Sequence, residues 1–346
     1  LLIDATAMDR NLQRMADFFR DRTCQLRPHF KNHKCTQIAK RQLAAGCAVG
    51  MTCAKLTEAE ILAEAGIHDV LIANQIVGTR KLQRLAQLAK KIKLRLAIDD
   101  PAHIADLSKA ATEASATIGF LIEVDIGMGR CGVPPGQPAL DLAKQIVDAP
   151  GLRFDGLQAY EGHLVNVIDP QDRRNQTRES MQRAIDTRRL IENTSIPVAV
   201  ISGGSSSTYA TTGIMDGVDE LQCGTYATMD WVYHRLVPEF EMAMSVLTRV
   251  ISRPKPDVAV LDVGVKGVGH EFGPPQVKDR PDLEIPFFLS EEHCIVRGKI
   301  DWSIGKTIQL IPSHACTTSN LYREFHVHDN GKIIDRWPIE ASGQPA

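Results

Sequence analysis

The stretch Arg27-Pro28-His29-Phe30-Lys31-Asn32-His33-Lys34-Cys35 packs two lysines, two histidines, an arginine and a cysteine into nine residues. A short β-favouring run precedes it, and a helical pattern starts directly after it at Thr36. Reactive groups crowded between a strand and a helix are where α/β proteins keep their chemistry. The plain alternative is a basic, solvated turn. The rest of the chain decides between them.

Outward from this stretch, the strand–turn–helix pattern repeats. β-favouring runs lie at 24–30, 50–54, 69–73, 94–98, 117–124, 154–160, 197–202 and 219–223. Helical patterns lie between them at about 36–46, 57–65, 79–91, 102–114, 137–148, 171–193 and 206–214. A short strand at Leu1-Leu2-Ile3 and a helix over about 7–20 come first, with Leu12, Met15, Ala16 and Phe19 at helical spacing. Eight strands alternating with helices must be parallel and predict an α/β fold, a TIM-like (β/α)8 barrel. An open doubly wound sheet is the alternative, but no GxGxxG follows an early strand. After Trp231 the pattern turns β-rich, with runs at 242–251, 258–263, 285–288, 293–297, 307–311 and 324–328. These predict a C-terminal all-β domain. The expected division is a barrel over 4–232 and a β domain over 233–346, which also takes strand 1–3.

The net charge of −2 argues against a nucleic-acid surface or a polybasic membrane anchor. No apolar run approaches bilayer length. Leu1-Leu2-Ile3-Asp4 turns polar at once, so no signal peptide is expected there. The eight cysteines are scattered with no CxxC pair, which fits reduced, cytoplasmic thiols, most of them core residues.

A (β/α)8 barrel carries its site at the C-terminal ends of its strands. Those positions hold His29-Phe30-Lys31, Thr52-Cys53-Ala54, Glu123 to Gly132, Gln158 to His163, Ser202 to Thr208, and Cys223 to Tyr226. Polar and glycine-rich residues gather there. The loops after strands seven and eight are the usual phosphate site of such barrels. Here they are Gly203-Gly204-Ser205 and Gly224-Thr225-Tyr226, in which backbone N–H groups and hydroxyls would face an anion. There is no GxxxxGK[ST], so no nucleoside triphosphate is implied. One phosphate opposite a lysine suggests pyridoxal 5'-phosphate (PLP). Lys31 would hold it as a Schiff base, with Lys34 the alternative. Arg130 could bond the ring hydroxyl, and Tyr160 could lie by the ring nitrogen. Their plain readings are a surface arginine in a glycine turn and a satisfied barrel tyrosine.

In the β domain, Pro312-Ser313-His314-Ala315-Cys316 puts His and Cys at i, i+2, on one side of a strand. Imidazole and thiolate suit a divalent metal and leave positions open for water or substrate. Two residues alone are a weak signal, and taken by themselves they read first as an ordinary core or surface pair. His163 and His293 are candidate catalytic groups. His326 and His328 read as surface residues on one strand face, and the Arg-rich stretch 172–193 as a solvated helix face.

Several motifs occur in order along the chain. They are Arg-Pro-His-x-Lys-x-His-Lys, Asp-x-Gly-Met-Gly-Arg-Cys-Gly-Val, Gly-Leu-Gln-Ala-Tyr-Glu-Gly-His, Gly-Gly-x-x-x-Thr-Tyr, Leu-Gln-x-Gly-x-Tyr, Ser-Glu-Glu-His and Pro-x-His-x-Cys. Together they resemble the D-threonine aldolase and D-serine dehydratase family, fold type III PLP enzymes related to alanine racemase. The resemblance spans essentially the whole chain. It implies a PLP barrel, a β domain, a homodimer and a divalent metal (Mn, Mg or Zn). It makes Lys31, not Lys34, the PLP lysine, sets Arg130 on the ring hydroxyl and puts Tyr160 by the ring nitrogen. It gives the phosphate to Gly203, Gly204, Ser205, Gly224 and Tyr226, and the metal to His314 and Cys316. Glu220 to Asp230 looks like the bacterial aldolases, whereas Cys316 looks like the zinc-dependent dehydratases. Phe30 and Asn32 depart from the small residue and Thr that usually flank the lysine; Ser205 and Cys223 replace Gly and Ala near the phosphate.

The resemblance implies a lyase that cleaves D-β-hydroxy-α-amino acids by a retro-aldol reaction into glycine and an aldehyde. The alternative is dehydration of D-serine or D-3-hydroxyaspartate to a keto acid and ammonia. From another class, the rival is a non-catalytic PLP-carrier barrel.

Overall fold

The structure, a computed structural model, describes residues 1–344. It opens with β1 (Leu2–Asp4) and α1 (Ala5–Phe19). Then come β2 (Gln25–Leu26), α2 (Thr36–Ala44), β3 (Met51–Cys53), α3 (Leu56–Glu64), β4 (Asp69–Ile72), α4 (Thr79–Ala89) and β5 (Lys93–Ile98). The alternation continues with α5 (Ile104–Glu113), β6 (Ile118–Glu123), α6 (Gln137–Asp148), β7 (Leu152–Ala159), α7 (Pro170–Glu192), β8 (Val200–Gly203), α8 (Tyr209–Thr212) and β9 (Glu220–Leu221).

Strands β2 to β9 form one parallel sheet in the order β2-β9-β8-β7-β6-β5-β4-β3. Bridges Leu26↔Ala48 and His29↔Thr52 join β2 to the run through β3, so the (β/α)8 ring closes. Helices cover the outside of a parallel barrel and side chains fill its inside, so its strands are buried on both faces. Accordingly β6 is buried at every position. Helix α7 starts where the sequence offers a cap. Asp169 accepts from Gln171 N and Asp172 N, and Pro170 takes the first helical position. Arg173 is the exception to its solvated face, being buried with Nη1 bonded to Val167 O at 2.7 Å.

The remaining elements are α9 (Trp231–His234), β10 (Met244–Lys255), β11 (Val258–Leu261), β12 (Gln276–Val277), β13 (Cys294–Arg297), β14 (Thr307–Ile311), α10 (Ala315–Ser319), β15 (Glu324–Asp329) and β16 (Lys332–Pro338). Their sheet runs β12-β14-β10-β1-β15-β16, with β11 on β10 and β13 on β11. It is antiparallel except where β1 lies parallel to β15. The chain divides into two compact units. One holds Leu1–Met15, Asn32–Ile38 and Thr225–Gln344; the other holds Ala16–Lys31 and Ala39–Gly224. The expected cuts at residues 3 and 232 both fall inside the first unit, which takes most of α1 and the segment from Thr225. The opening stretch is itself divided, between Lys31 and Asn32.

Three expectations are corrected. Residues 285–288 form no strand; Glu284 makes a single bridge to Arg297, Pro286 lacks an N–H to extend it, and Phe288 is 87% exposed. His328 is buried, not a surface residue. His314 and Cys316 do not share a strand: β14 ends at Ile311, His314 is the extended N-cap of α10, and Cys316 lies in its first turn.

Candidate active site

In the barrel unit, the side chains in question stand at the C-terminal ends of the strands. Lys31 sits in a one-turn 3₁₀ helix, Phe30–Asn32, just past β2. Its neighbours Phe30 and Asn32 are fully buried, which anchors the turn on both sides. The Lys31 N–H donates to His29 Nδ1 at 3.4 Å. Lys31 Nζ lies 5.8 Å from the Tyr160 ring centroid. The Arg130 guanidinium carbon lies 5.5 Å from the same centroid. Two cations are thus drawn to one electron-rich ring.

Arg130 is carried by the glycine-rich turn after β6. Asp125 Oδ1 holds that turn by accepting from Gly127 N and Gly129 N, both at 3.0 Å. Behind it, Glu123 Oε1 lies 3.7 Å from Arg130 Nη2, and Glu123 Oε2 accepts from Gln75 Nε2 at 2.7 Å. Burial pushes the Glu123 carboxyl up, and Gln75 and Arg130 offset this only in part. His163 packs against Gly127. Its Nδ1 is buried without a hydrogen-bond partner, and burial lowers its pKa against the pull of Asp125.

The loop after β8 is built without slack. A Cβ on Gly203 would fall 1.9 Å from Ala159 O, and Gly204 turns the chain at φ +75°. Gly204 N donates to Glu161 Oε2 at 3.2 Å, and Thr208 and Thr212 hydroxyls donate to Glu161 Oε1 at 2.7 and 2.9 Å. Ser205 and Ser207 hydroxyls lie 2.8 Å apart. Glu161 is wholly buried, and burial drives its carboxyl pKa up. Gly224, past β9, is buried too.

In the β unit, Asp230 is the organiser. Fully buried, it accepts from Tyr233 N through Oδ1 at 2.9 Å, and through Oδ2 from Ala315 N and His314 Nδ1 at 3.0 Å each. This bond takes up Nδ1, so Nε2 is the ring nitrogen that a metal would use. Burial disfavours charge on His314, but Cys316 and Asp230 outweigh it and hold the imidazole well above its usual range. Asn32, which follows Lys31 in the chain, donates from Nδ2 to Cys316 Sγ at 3.6 Å. Its Oδ1 accepts from the Thr228 hydroxyl at 2.7 Å. Tyr226 is buried, with its ring edge-on to Phe240. His293 is exposed.

Lys31, Arg130 and Tyr160 therefore come together, and His314 and Cys316 come together. The lysine amine, the guanidinium and the tight glycine loop fit a phosphorylated aldehyde cofactor. The imidazole and sulfur donors fit a borderline divalent ion that takes its remaining ligands from water or substrate. Among the described residues, no three His, Cys, Asp or Glu side chains form a metal cage. Glu123, Gln75, Glu161 and Asp230 had no assigned role in the sequence reading. Glu161 and Asp230 stood in plain view beside Tyr160 and at the end of the Glu220 to Asp230 motif. Only burial shows their importance.

Comparison with known proteins agrees with this fold. The model of the alanine racemase N-terminal domain matches residues 3–230, and that of a putative serine dehydratase domain matches 243–328. D-threonine aldolase of Arthrobacter sp is 36% identical, over 99% of this chain and 92% of its own. 3-Hydroxy-D-aspartate aldolase of Paracoccus denitrificans (strain Pd 1222) is 33% identical, over 99% and 92%. The crystal structure of D-threonine aldolase from Filomicrobium marinum superposes with a TM-score of 0.95 at 38% identity, covering 99% of this chain and 95% of that one. The chain belongs to the alanine racemase-like family that includes the D-threonine aldolases.

Proposed function

We propose that the protein is a PLP- and divalent-metal-dependent lyase that cleaves D-β-hydroxy-α-amino acids to glycine and an aldehyde. The observation that carries the reading is the placing of Lys31 and Arg130 over the one ring of Tyr160, at the C-terminal end of the barrel. Bound PLP supplies an electron sink for the pair released when Cα–Cβ breaks. A divalent ion held by His314 Nε2 and Cys316 Sγ supplies a Lewis acid for the β-hydroxyl.

The chain's own residues do the rest. Lys31 Nζ would attach the cofactor and would return a proton to Cα. Arg130, braced by Glu123, would hold the ring oxygen as its anion. Tyr160 would serve the ring nitrogen, and Gly203, Gly204, Ser205, Gly224 and Tyr226 would frame the phosphate. His163 is neutral at pH 7 because burial lowers its pKa, so it is suited to accept the β-hydroxyl proton. That supports it over the exposed His293, which we keep as the second candidate. The reading includes a cytoplasmic homodimer; no helix among the described residues is long and apolar enough to cross a membrane.

The test is an absorbance spectrum and product analysis with D-threonine and D-serine, with and without chelator. Wild type is expected to show a near-visible cofactor band, lost in Lys31→Ala with about a thousandfold loss of activity. A band that survives in Lys31→Ala overturns the assignment of the lysine. Glycine plus acetaldehyde supports the aldolase. Ammonia plus a keto acid would instead establish the dehydratase reading, which Cys316 favours. Turnover indifferent to chelator removes the role of His314 and Cys316.

A further inference from the structure

Glu161 is a carboxylic acid with no exposed surface. Among the described residues its carboxyl is bonded by the Gly204 N–H, the hydroxyls of Thr208 and Thr212 and its own N–H, none of them a cation. Its titratable neighbour Cys223 is a buried thiol, itself pushed well above the usual range by burial and by Glu161. Burying a carboxyl without a counter-charge is expensive. The mechanism above does not use it. Its bonds all run to one place: the start of the turn after β8 and the helix that follows.

The hydrogen bonds of that turn can be followed atom by atom. Because the Thr208 hydroxyl donates to Glu161, its oxygen only accepts from the loop, and it takes the Ser205 N–H at 3.1 Å. Ser205 Oγ accepts from Ser207 N at 3.2 Å and faces Ser207 Oγ at 2.8 Å. Ser205 Oγ also lies 3.3 Å from Thr208 Oγ1, a longer contact than the one to Ser207, and the Ser205 and Ser207 hydroxyls can turn their protons to an acceptor beside the loop. Glu161 thus draws the Gly204 amide and the Thr208 hydroxyl backward and fixes the loop's shape. Neither group is left to reach forward.

We propose that Glu161 is a positioning residue for the cofactor's phosphate: it pins Gly204, Thr208 and Thr212 from behind, so that Ser205 and Ser207 present their hydroxyls to the phosphate oxygens. The inference rests on the reading of this loop as the phosphate site. It assigns Gly204 to shaping the cradle and not to donating its N–H to the ligand.

The test compares two ligands of the apo-protein, PLP and pyridoxal, which differ only in the phosphate. Binding is followed by quenching of tryptophan fluorescence, and the melting temperature of each apo-variant is measured alongside. Wild type is expected to prefer PLP by about a hundredfold, the worth of two charge-assisted hydrogen bonds. Glu161→Ala should weaken PLP about tenfold or more and leave pyridoxal within about twofold. Glu161→Gln keeps the threonine bonds through Oε1 but sets an NH₂ against the Gly204 N–H, so its loss should be intermediate. If Glu161→Ala does not fold, Thr212→Val decides, with an expected loss of about threefold for PLP alone. Equal losses for both ligands, or none, would mean a purely structural brace and overturn the proposal. A wild type that does not discriminate the two ligands overturns the phosphate-site reading itself, and this inference with it.

Discussion

Near the N-terminal ends of the barrel strands, Arg27 is buried between Glu220 and Asp69, with Nε–Oε1 at 2.8 Å and Nη1–Oδ1 at 2.7 Å. Arg95 and Arg153 share Asp155 at 3.0 and 2.6 Å, and Lys93 reaches Asp69 at 2.7 Å. At the C-terminal ends, Arg130 faces Glu123 at the longer distance of 3.7 Å, and the hydrogen bonds to Glu161 come from uncharged groups, Gly204 N and the Thr208 and Thr212 hydroxyls. The carboxyls respond in opposite directions. Burial works against ionised Asp69 and Asp155, but Arg27 for the first and Arg153 and Arg95 for the second hold them below the usual range. Burial prevails at Glu123 and Glu161, which are pushed up. One end closes the barrel with matched charges. The other keeps its charges poorly matched, which is how a site is kept ready for a charged ligand.

The most direct way to break this contrast is to remove the central cation of the closed end. Arg27→Met leaves the buried Glu220 with Arg95 at 3.9 Å in place of its close partner, and leaves the half-buried Asp69 to Lys93. The expected loss is about 3–5 kcal/mol of stability, read by urea denaturation. A loss under about 1 kcal/mol would show that the two carboxylates find water or protons cheaply, and that this end is no plug. At the open end the same kind of change should act on chemistry instead. Glu123→Gln keeps the shape and the Gln75 contact but removes the charge facing Arg130. Activity as kcat/KM should fall about tenfold, with stability within about 1 kcal/mol of wild type. Unchanged kinetics would free Arg130 from any dependence on Glu123.

A pH series sharpens the same contrast. Asp69 and Asp155 ionise more readily folded than unfolded. Their contribution is complete above the unfolded value of about 3.9 and is lost as pH falls through the lower folded values. Glu123 and Glu161 run the other way. The unfolded chain ionises first, near about 4.3, so folding loses stability as pH rises from there through their raised values. Urea midpoints measured across pH should therefore fall on both sides of a maximum. Glu123→Gln should flatten the decline on the rising side alone; an identical slope would remove Glu123 from that limb.

Most of the barrel was legible because its signal is local. A strand, a turn and an amphipathic helix recur, and all eight predicted strands are present within a few residues. The nearness of Lys31, Arg130 and Tyr160 was legible because the fold puts strand ends together. The closed end was not legible. Arg27 meets partners 42 and 193 residues away, and a lone Arg before a proline says nothing of them. The geometry of His314 and Cys316 was misread because two residues after a strand look like two residues on it, and the chain turns into α10 between them. Residues 285–288 have the apolar, aromatic composition of a strand, but Pro286 supplies no N–H to a ladder. Burial of an acid such as Glu161 depends on what covers it, and no pattern near Tyr160 carries that.

The smallest expected effect tests whether the closed end acts as one network or as separate pairs. Arg153 bonds Asp155 through Nε at 2.6 Å and Nη2 at 2.8 Å, but its side chain is 48% exposed. Water screens such a pair, and Asp155 retains Arg95 at 3.0 Å when Arg153 is removed. Arg153→Ala should then cost about 1 kcal/mol or less by urea denaturation. Arg95 also reaches Glu220 at 3.9 Å, which in turn holds Arg27. If Asp155 draws Arg95 closer once Arg153 is gone, that second link weakens and the cost rises. A double-mutant cycle between Arg153→Ala and Arg27→Met reads this coupling directly. Additive losses mean separate pairs, whereas a coupling above about 0.5 kcal/mol means that charge is balanced across the whole end of the barrel.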